Sequence, residues 1–335
     1  MPIRRPDAPL GAISTWLFVC CGLIFAMVLL GGITRLTESG LSIVYWRPFT
    51  GWLPPTSDRE WAAVFDAYRN SPEFRHLNFW MTLEDFRRIF WLEYLHRLLG
   101  RVIGVVYLLP FLWFWLRYRL PEGLTARLFL MFFLGGAQGV LGWYMVKSGL
   151  VDRPSVSQYR LAAHLGLAVA IYGFLLHTAA GLRPGVPEPS ASRRRDIALT
   201  TALIFTAMIW GAFLAGIDGG TVFNTFPLMD GHVVPPGALA MSPVWVNPFE
   251  NVAMVQFIHR MLGIATTAAV IALWLRHRTA VRSRKLPLMA GLVLLQLSLG
   301  IATVLTGASI YIAWAHQGGA MLLFSAAVWA WREAG

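Results

Sequence analysis

The sequence predicts an all-α integral membrane protein, with eight transmembrane helices arranged as two tandem four-helix bundles. Three observations predict it. Of 335 residues, 56% are hydrophobic and only 13% charged, whereas a soluble domain carries roughly 25% charge. Eight stretches approach the ~20 apolar residues needed to cross a bilayer. Finally, motifs in the first half recur in the second at matching separations. The same composition excludes a soluble enzyme, a disordered chain and a disulfide-rich secreted module. The only cysteines, Cys20 and Cys21, are neighbours inside an apolar run. They permit no Cys-x-x-Cys zinc or redox site and no Cys-x-x-Cys-His haem attachment.

In chain order the expected spans are 14–33, 94–116, 125–147, 161–181, 197–216, 253–275, 286–306 and 310–331. The first follows Arg4 and Arg5, as a signal peptide would. Its apolar stretch is too long for an h-region and ends in Gly31-Gly32-Ile33-Thr34 rather than a small-x-small cleavage site, so a retained helix is expected. A long outer loop, 34–92, follows. Within it Ser57-Asp58-Arg59-Glu60 is a capping-box pattern, and Trp61, Val64, Phe65 and Tyr68 follow at helical spacing. An amphipathic helix resting over the top of the bundle is the expectation.

The connections set the orientation. Arg4 and Arg5 precede the first span. Arg117, Arg119 and Arg127 flank the second connection, and Arg183, Arg193, Arg194 and Arg195 the fourth. Arg276, Arg278, Arg282, Arg284 and Lys285 crowd the sixth. The fifth and seventh connections contain no Lys or Arg. Basic loops stay cytoplasmic, which places both termini in the cytoplasm. The net charge of +11 therefore reports topology, and no nucleic-acid partner is expected.

The repeat is explicit. Glu93-Tyr94-Leu95-His96-Arg97-Leu98-Leu99-Gly100 recurs as Gln256-Phe257-Ile258-His259-Arg260-Met261-Leu262-Gly263. Gln138, Gly142 and Gly149 recur as Gln296, Gly300 and Gly307, and His164-Leu165-Gly166 as His316-Gln317-Gly318. Two parallel copies follow, divided as 1–190 and 191–335. His96, His164, His259 and His316 all fall in the first turns of even-numbered spans, near the outer leaflet, two per half. Histidine within a span is a functional candidate by default. Imidazoles from two helices grip a haem iron from both faces, and the alternative for each ring is a hydrogen-bonded packing role. His76, His177, His232 and His277 have no repeat partners and are read as surface or packing residues.

The halves differ in charge. Glu93, one helical turn before His96, is matched by Gln256; Arg101 is matched by Ile264, and Lys147 by Leu305. A carboxylate in a membrane pocket can accept a proton or stabilise developing positive charge. It can equally form a salt bridge to Arg97. Arg97 and Arg260 hold the same post in both copies, suited either to a haem propionate or to snorkelling toward lipid phosphate.

With Gly31-Gly32-Ile33-Thr34-Arg35-Leu36-Thr37-Glu38-Ser39-Gly40-Leu41-Ser42, the Glu93-x-x-His96-Arg97 motif and the four placed histidines, the chain resembles the haem A synthase family along essentially its whole length. The resemblance implies oxidation of the C8 methyl of haem O to a formyl group, giving haem A for cytochrome c oxidase. It implies a non-covalent haem b on His259 and His316, a substrate haem O facing His96 and His164, and Glu93 as the catalytic acidic residue. It also implies a separate electron donor, and haem O synthase and cytochrome c oxidase assembly factors as partners. Other members carry cysteine pairs in the outer loops, which this chain lacks. A bacterial inner membrane is expected, because no Arg- and Ser-rich transit segment opens the chain. The rival expectations are a di-haem b electron-transfer protein and a haem transporter or chaperone.

Overall fold

Helix formation follows the apolar runs closely. The computed structural model describes residues 5–149, 156–183, 191–278 and 284–333; Arg4 and Arg282 of the expected cytoplasmic clusters lie outside them. In chain order the helices are α1 Leu10–Leu36, α2 Asp58–Arg69, α3 Leu83–Arg117, α4 Leu124–Gly149, α5 Gln158–Gly181, α6 Ala191–Gly216, α7 Asn247–Glu250, α8 Val252–His277, α9 Lys285–Leu305 and α10 Ile310–Glu333, with a π turn over Phe74–Asn78. Among the described residues pairing is limited to two isolated bridges, Asp7 with Arg119 and Met229 with His232. The protein is an all-α, multi-pass membrane protein.

Among the described residues seven helices, α1, α3 to α6, α8 and α9, are long and apolar enough to cross a bilayer. The expected eighth span corresponds to α10, which has 24 residues. His316 and Gln317 interrupt its apolar run. The expected second span also starts late: α3 begins at Leu83, capped by a Thr82–Asp85 capping box. Its first turns carry charge and so do not read as membrane. They are held instead by Phe86, Ile89, Phe90 and Tyr94, which pack with Trp61 and Tyr68 of α2. The Ser57–Glu60 capping box of α2 is present as expected, and α2 is a packed cap over the end of α3.

The chain divides into two compact units, Met1–Arg160 and Leu161–Gly335, so α5 is grouped with the second. In the first unit Trp16 of α1 donates to the Val106 carbonyl at 2.8 Å and meets the rings of Tyr107 and Phe114 of α3. Phe111 meets Phe129 of α4 edge-on at 4.9 Å. In the second unit α6, α8, α9 and α10 pack side by side. There α5 joins α10 where Gly173 lies against Phe324 and the Tyr172 hydroxyl meets Ser325 at 2.7 Å.

Candidate functional site

In the second unit α8 is started by Asn251, whose side chain accepts from the amides of Ala253 and Met254. Two turns later it presents His259. His316 stands in the second turn of α10. The two rings approach to 6.3 Å between centroids, with planes at 90°. Two metal–imidazole bonds of about 2 Å each, with roughly 1 Å from nitrogen to ring centre, give about 6 Å for rings on opposite sides of one metal. The separation fits a shared iron. Among the described residues no three His, Cys, Asp or Glu side chains converge on one point. Two facing imidazoles with no further protein donor suit a metal whose other four ligands arrive with it in a macrocycle. The residues present therefore fit a haem.

Each ring rests on a glycine. A Cβ added at Gly211 of α6 would lie 3.0 Å from His259 Cε1, and one at Gly300 of α9 would lie 2.9 Å from His316 Cε1. Gln296, one turn before Gly300, places its amide nitrogen 3.5 Å from His316 Nε2. None of these three reads as a site residue from sequence, because their roles depend on distances between helices.

In the first unit α3 carries Glu93, His96 and Arg97. Gly31 of α1 faces His96: an added Cβ would lie 3.1 Å from its Nε2. Glu93 is 3% exposed and both its carboxylate oxygens are occupied. Oε2 accepts from Ser42 Oγ at 2.7 Å and the Ile43 amide at 2.8 Å. Oε1 accepts from Arg97 Nε at 2.9 Å and Nη2 at 2.6 Å. Arg97 also donates to the carbonyls of Tyr45 and Ile43. The pair thus clamps the chain leaving α1 onto α3. The sequence left Glu93 open between chemistry and a salt bridge to Arg97; the salt bridge is formed.

The second unit repeats the clamp without the charge. Gln256 Nε2 donates to the Val222 carbonyl at 2.6 Å, and Arg260 donates to the carbonyls of Phe223 and Thr225. These residues lie in the chain leaving α6, as Ser42–Tyr45 lie in the chain leaving α1. Both arginines therefore spend donors on main-chain carbonyls. Arg101 adds bonds to the carbonyls of Arg47 and Pro48 in the first unit, where Ile264 of the second offers none.

His164 lies on α5, in the second unit, and His96 on α3, in the first. Two residues past His164, Gly166 packs on Ile209 of α6. The four histidines outside the repeat behave as the sequence suggests. His277 bonds Asp196 at 3.0 Å, His177 packs at a tilt against Trp331, His232 turns back to the Asp230 carbonyl, and His76 is exposed in the π turn.

Comparison with known proteins agrees in extent and character. A family model described as cytochrome oxidase assembly protein matches residues 14–328. The haem A synthase of Rhodospirillum centenum is 48% identical over 335 residues, covering 98% of this chain and 89% of the relative. That of Nitrosospira multiformis is 47% identical over 326 residues, covering 95% and 92%. That of Parvibaculum lavamentivorans is 46% identical over 328 residues, covering 98% and 95%.

Proposed function

The chain belongs to the haem A synthase family, and we propose that it oxidises the C8 methyl group of haem O to the formyl group of haem A for cytochrome c oxidase. The observation that carries this reading is the pair of facing, perpendicular rings of His259 and His316, 6.3 Å apart. These two would hold a non-covalent haem b which, when bound, supplies one-electron transfer to the reaction. His96 and His164 would face the substrate haem. The substrate methyl would pass through the alcohol to the aldehyde with dioxygen as oxidant: each step takes two electrons from the carbon and two from the donor, inserts one oxygen atom and releases the other as water, and the hydrated aldehyde of the second step loses water.

Glu93 is held by bonds from Arg97, Ser42 and Ile43 to its two oxygens. A carboxylate held in place beside the substrate ligand is suited to stabilise positive charge developing on the oxidised carbon. Arg97, Ser42 and Ile43 position it. Arg97 and Arg260 each retain a partly exposed edge from which a propionate can be met.

Around this chemistry we place eight spans, α10 included, with both termini in the cytoplasm of a bacterial inner membrane. The substrate half is 1–190 and the cofactor half 191–335. Haem O synthase would supply the substrate, an electron donor would serve the haem b side, and cytochrome c oxidase assembly factors would receive the product. The test is expression with a haem O source, followed by extraction and chromatography of the bound haems. His259→Ala and His316→Ala should lose haem b; His96→Ala and His164→Ala should keep it and lose haem A. Glu93→Ala should keep haem b and form no haem A. Normal haem A yield from Glu93→Ala refutes its role, and haem b alone in wild-type protein refutes the synthase.

A further inference from the structure

We infer that Gly211 and Gly300 belong to the haem b site as ring seats, that is, positioning residues that set the height and plane of the two ligand imidazoles, and that Gly31 is their counterpart for His96. The inference rests on the haem reading above and names the residues through which neighbouring helices enforce it. The two seats in the second unit are near copies. From a Cβ at Gly211 the His259 atoms Cε1, Nδ1 and Nε2 would stand at 3.0, 3.6 and 3.7 Å; from one at Gly300 those of His316 would stand at 2.9, 3.5 and 3.7 Å. The same ring edge meets the same backbone feature on two different helices, α6 and α9. The two Cε1 contacts are closer than ordinary van der Waals packing. A methyl there would push the ring, and with it the ligating nitrogen, toward its partner.

A second consequence of the missing Cβ concerns the other ring nitrogen. On a helix the Cβ leans toward the N-terminus and covers the turn before it. Without one, the carbonyl a turn earlier stays open. That of Ala207, four residues before Gly211, faces the His259 ring, and that of Gln296, four before Gly300, faces His316. Nδ1 of both rings is buried without a hydrogen bond of good geometry. A small ring rotation, such as an iron on Nε2 imposes, brings Nδ1–H onto that carbonyl and fixes the tautomer that leaves Nε2 for the metal. Because the seats lie on separate helices, each sets its own ring plane, and the 90° between them follows from the frame.

The seat at Gly31 differs. Its nearest atoms are Nε2 at 3.1 Å and Cδ2 at 3.5 Å, so α1 covers the ligating edge of His96 rather than the opposite one. His96 must turn to reach an iron. That suits a substrate that has to leave, as the preset pair suits a cofactor that stays.

The experiment uses full-length protein purified with a haem O source. Gly211→Ala, Gly300→Ala and Gly31→Ala are compared with Gly263→Ala, whose added Cβ meets nothing within 4 Å. The readouts are haem b and haem O plus A per chain, and the low-spin electron paramagnetic resonance signal of the oxidised protein, which depends on the angle between ligand planes. Gly211→Ala and Gly300→Ala should lose haem b at least fivefold, or keep it with an altered signal, while retaining the substrate-side haem. Gly31→Ala should keep haem b with the wild-type signal and lose haem O plus A at least fivefold. Gly263→Ala should match wild type. Wild-type haem b content and signal in both Gly211→Ala and Gly300→Ala overturn the seats and leave the haem reading standing. Loss of both classes of haem in every seat variant also overturns them, since the effect is then global. Wild-type protein devoid of haem b overturns the haem reading itself, and the seats with it.

Discussion

Glu93 and Gln256 occupy matching posts and differ by one charge, and the arginine one turn later carries the consequence. Arg97 closes a buried ion pair whose side chains are 13% and 4% exposed, whereas Arg260 reaches only carbonyls. Removing one partner of a buried pair costs about 3–5 kcal/mol; losing hydrogen bonds to carbonyls costs about 1–3 kcal/mol. Arg97→Ala should therefore lower the melting temperature of the purified protein clearly more than Arg260→Ala does. Equal losses would mean that the carboxylate is not what Arg97 secures. The sequence placed both arginines beside histidines and marked the Glu–Gln difference. It gave no sign that the chain leaving α1 and α6 turns its carbonyls back onto them, because no periodicity encodes that return. The seats were hidden for a related reason: a glycine's meaning here lies in which ring another helix brings to it.

At the scale of elements, α2 and the π turn after it build a buried polar knot over α3. Tyr68, wholly buried, donates its hydroxyl to Glu73 at 3.0 Å and accepts from Asn78 at 2.8 Å. Burial pushes the Glu73 carboxyl up to about 8, the Tyr68 bond opposes this, and the charges of Glu93 and Glu38 add to it. In the unfolded chain the same group titrates near the ordinary glutamate value of about 4.3. Between those values the folded protein holds a proton that the unfolded chain has released. Stability should thus fall as pH rises through that window, by an amount on the order of 5 kcal/mol. Melting curves at intervals from pH 5 to 8.5 should show the decline in wild type and a flatter profile in Glu73→Gln. Parallel profiles would assign the slope to another group. The capping box at Ser57 and the apolar stripe of α2 were legible beforehand, since both are local. The extra N-terminal turns of α3 were not, because their charges hide a helix whose apolar residues face α2.

For the whole molecule, arginine placement predicts the orientation of the spans, and α10 is the element on which that expectation turns. With eight spans the two termini share a side; with seven they are opposed. Reporter fusions at the two ends should both read as cytoplasmic, and a single-cysteine probe in the 226–245 connection should react from the outside only. A C-terminal fusion active on the outer side would remove α10 from the set of spans. The recurrence of the clamp and of the glycine beneath a ring in each unit points to an ancestor half as long, doubled by gene fusion. Once both copies sat in one polypeptide, a change in one no longer altered the other. An acid could be kept at position 93 while its twin settled as an amide at 256, and a labour once shared by identical modules became divisible.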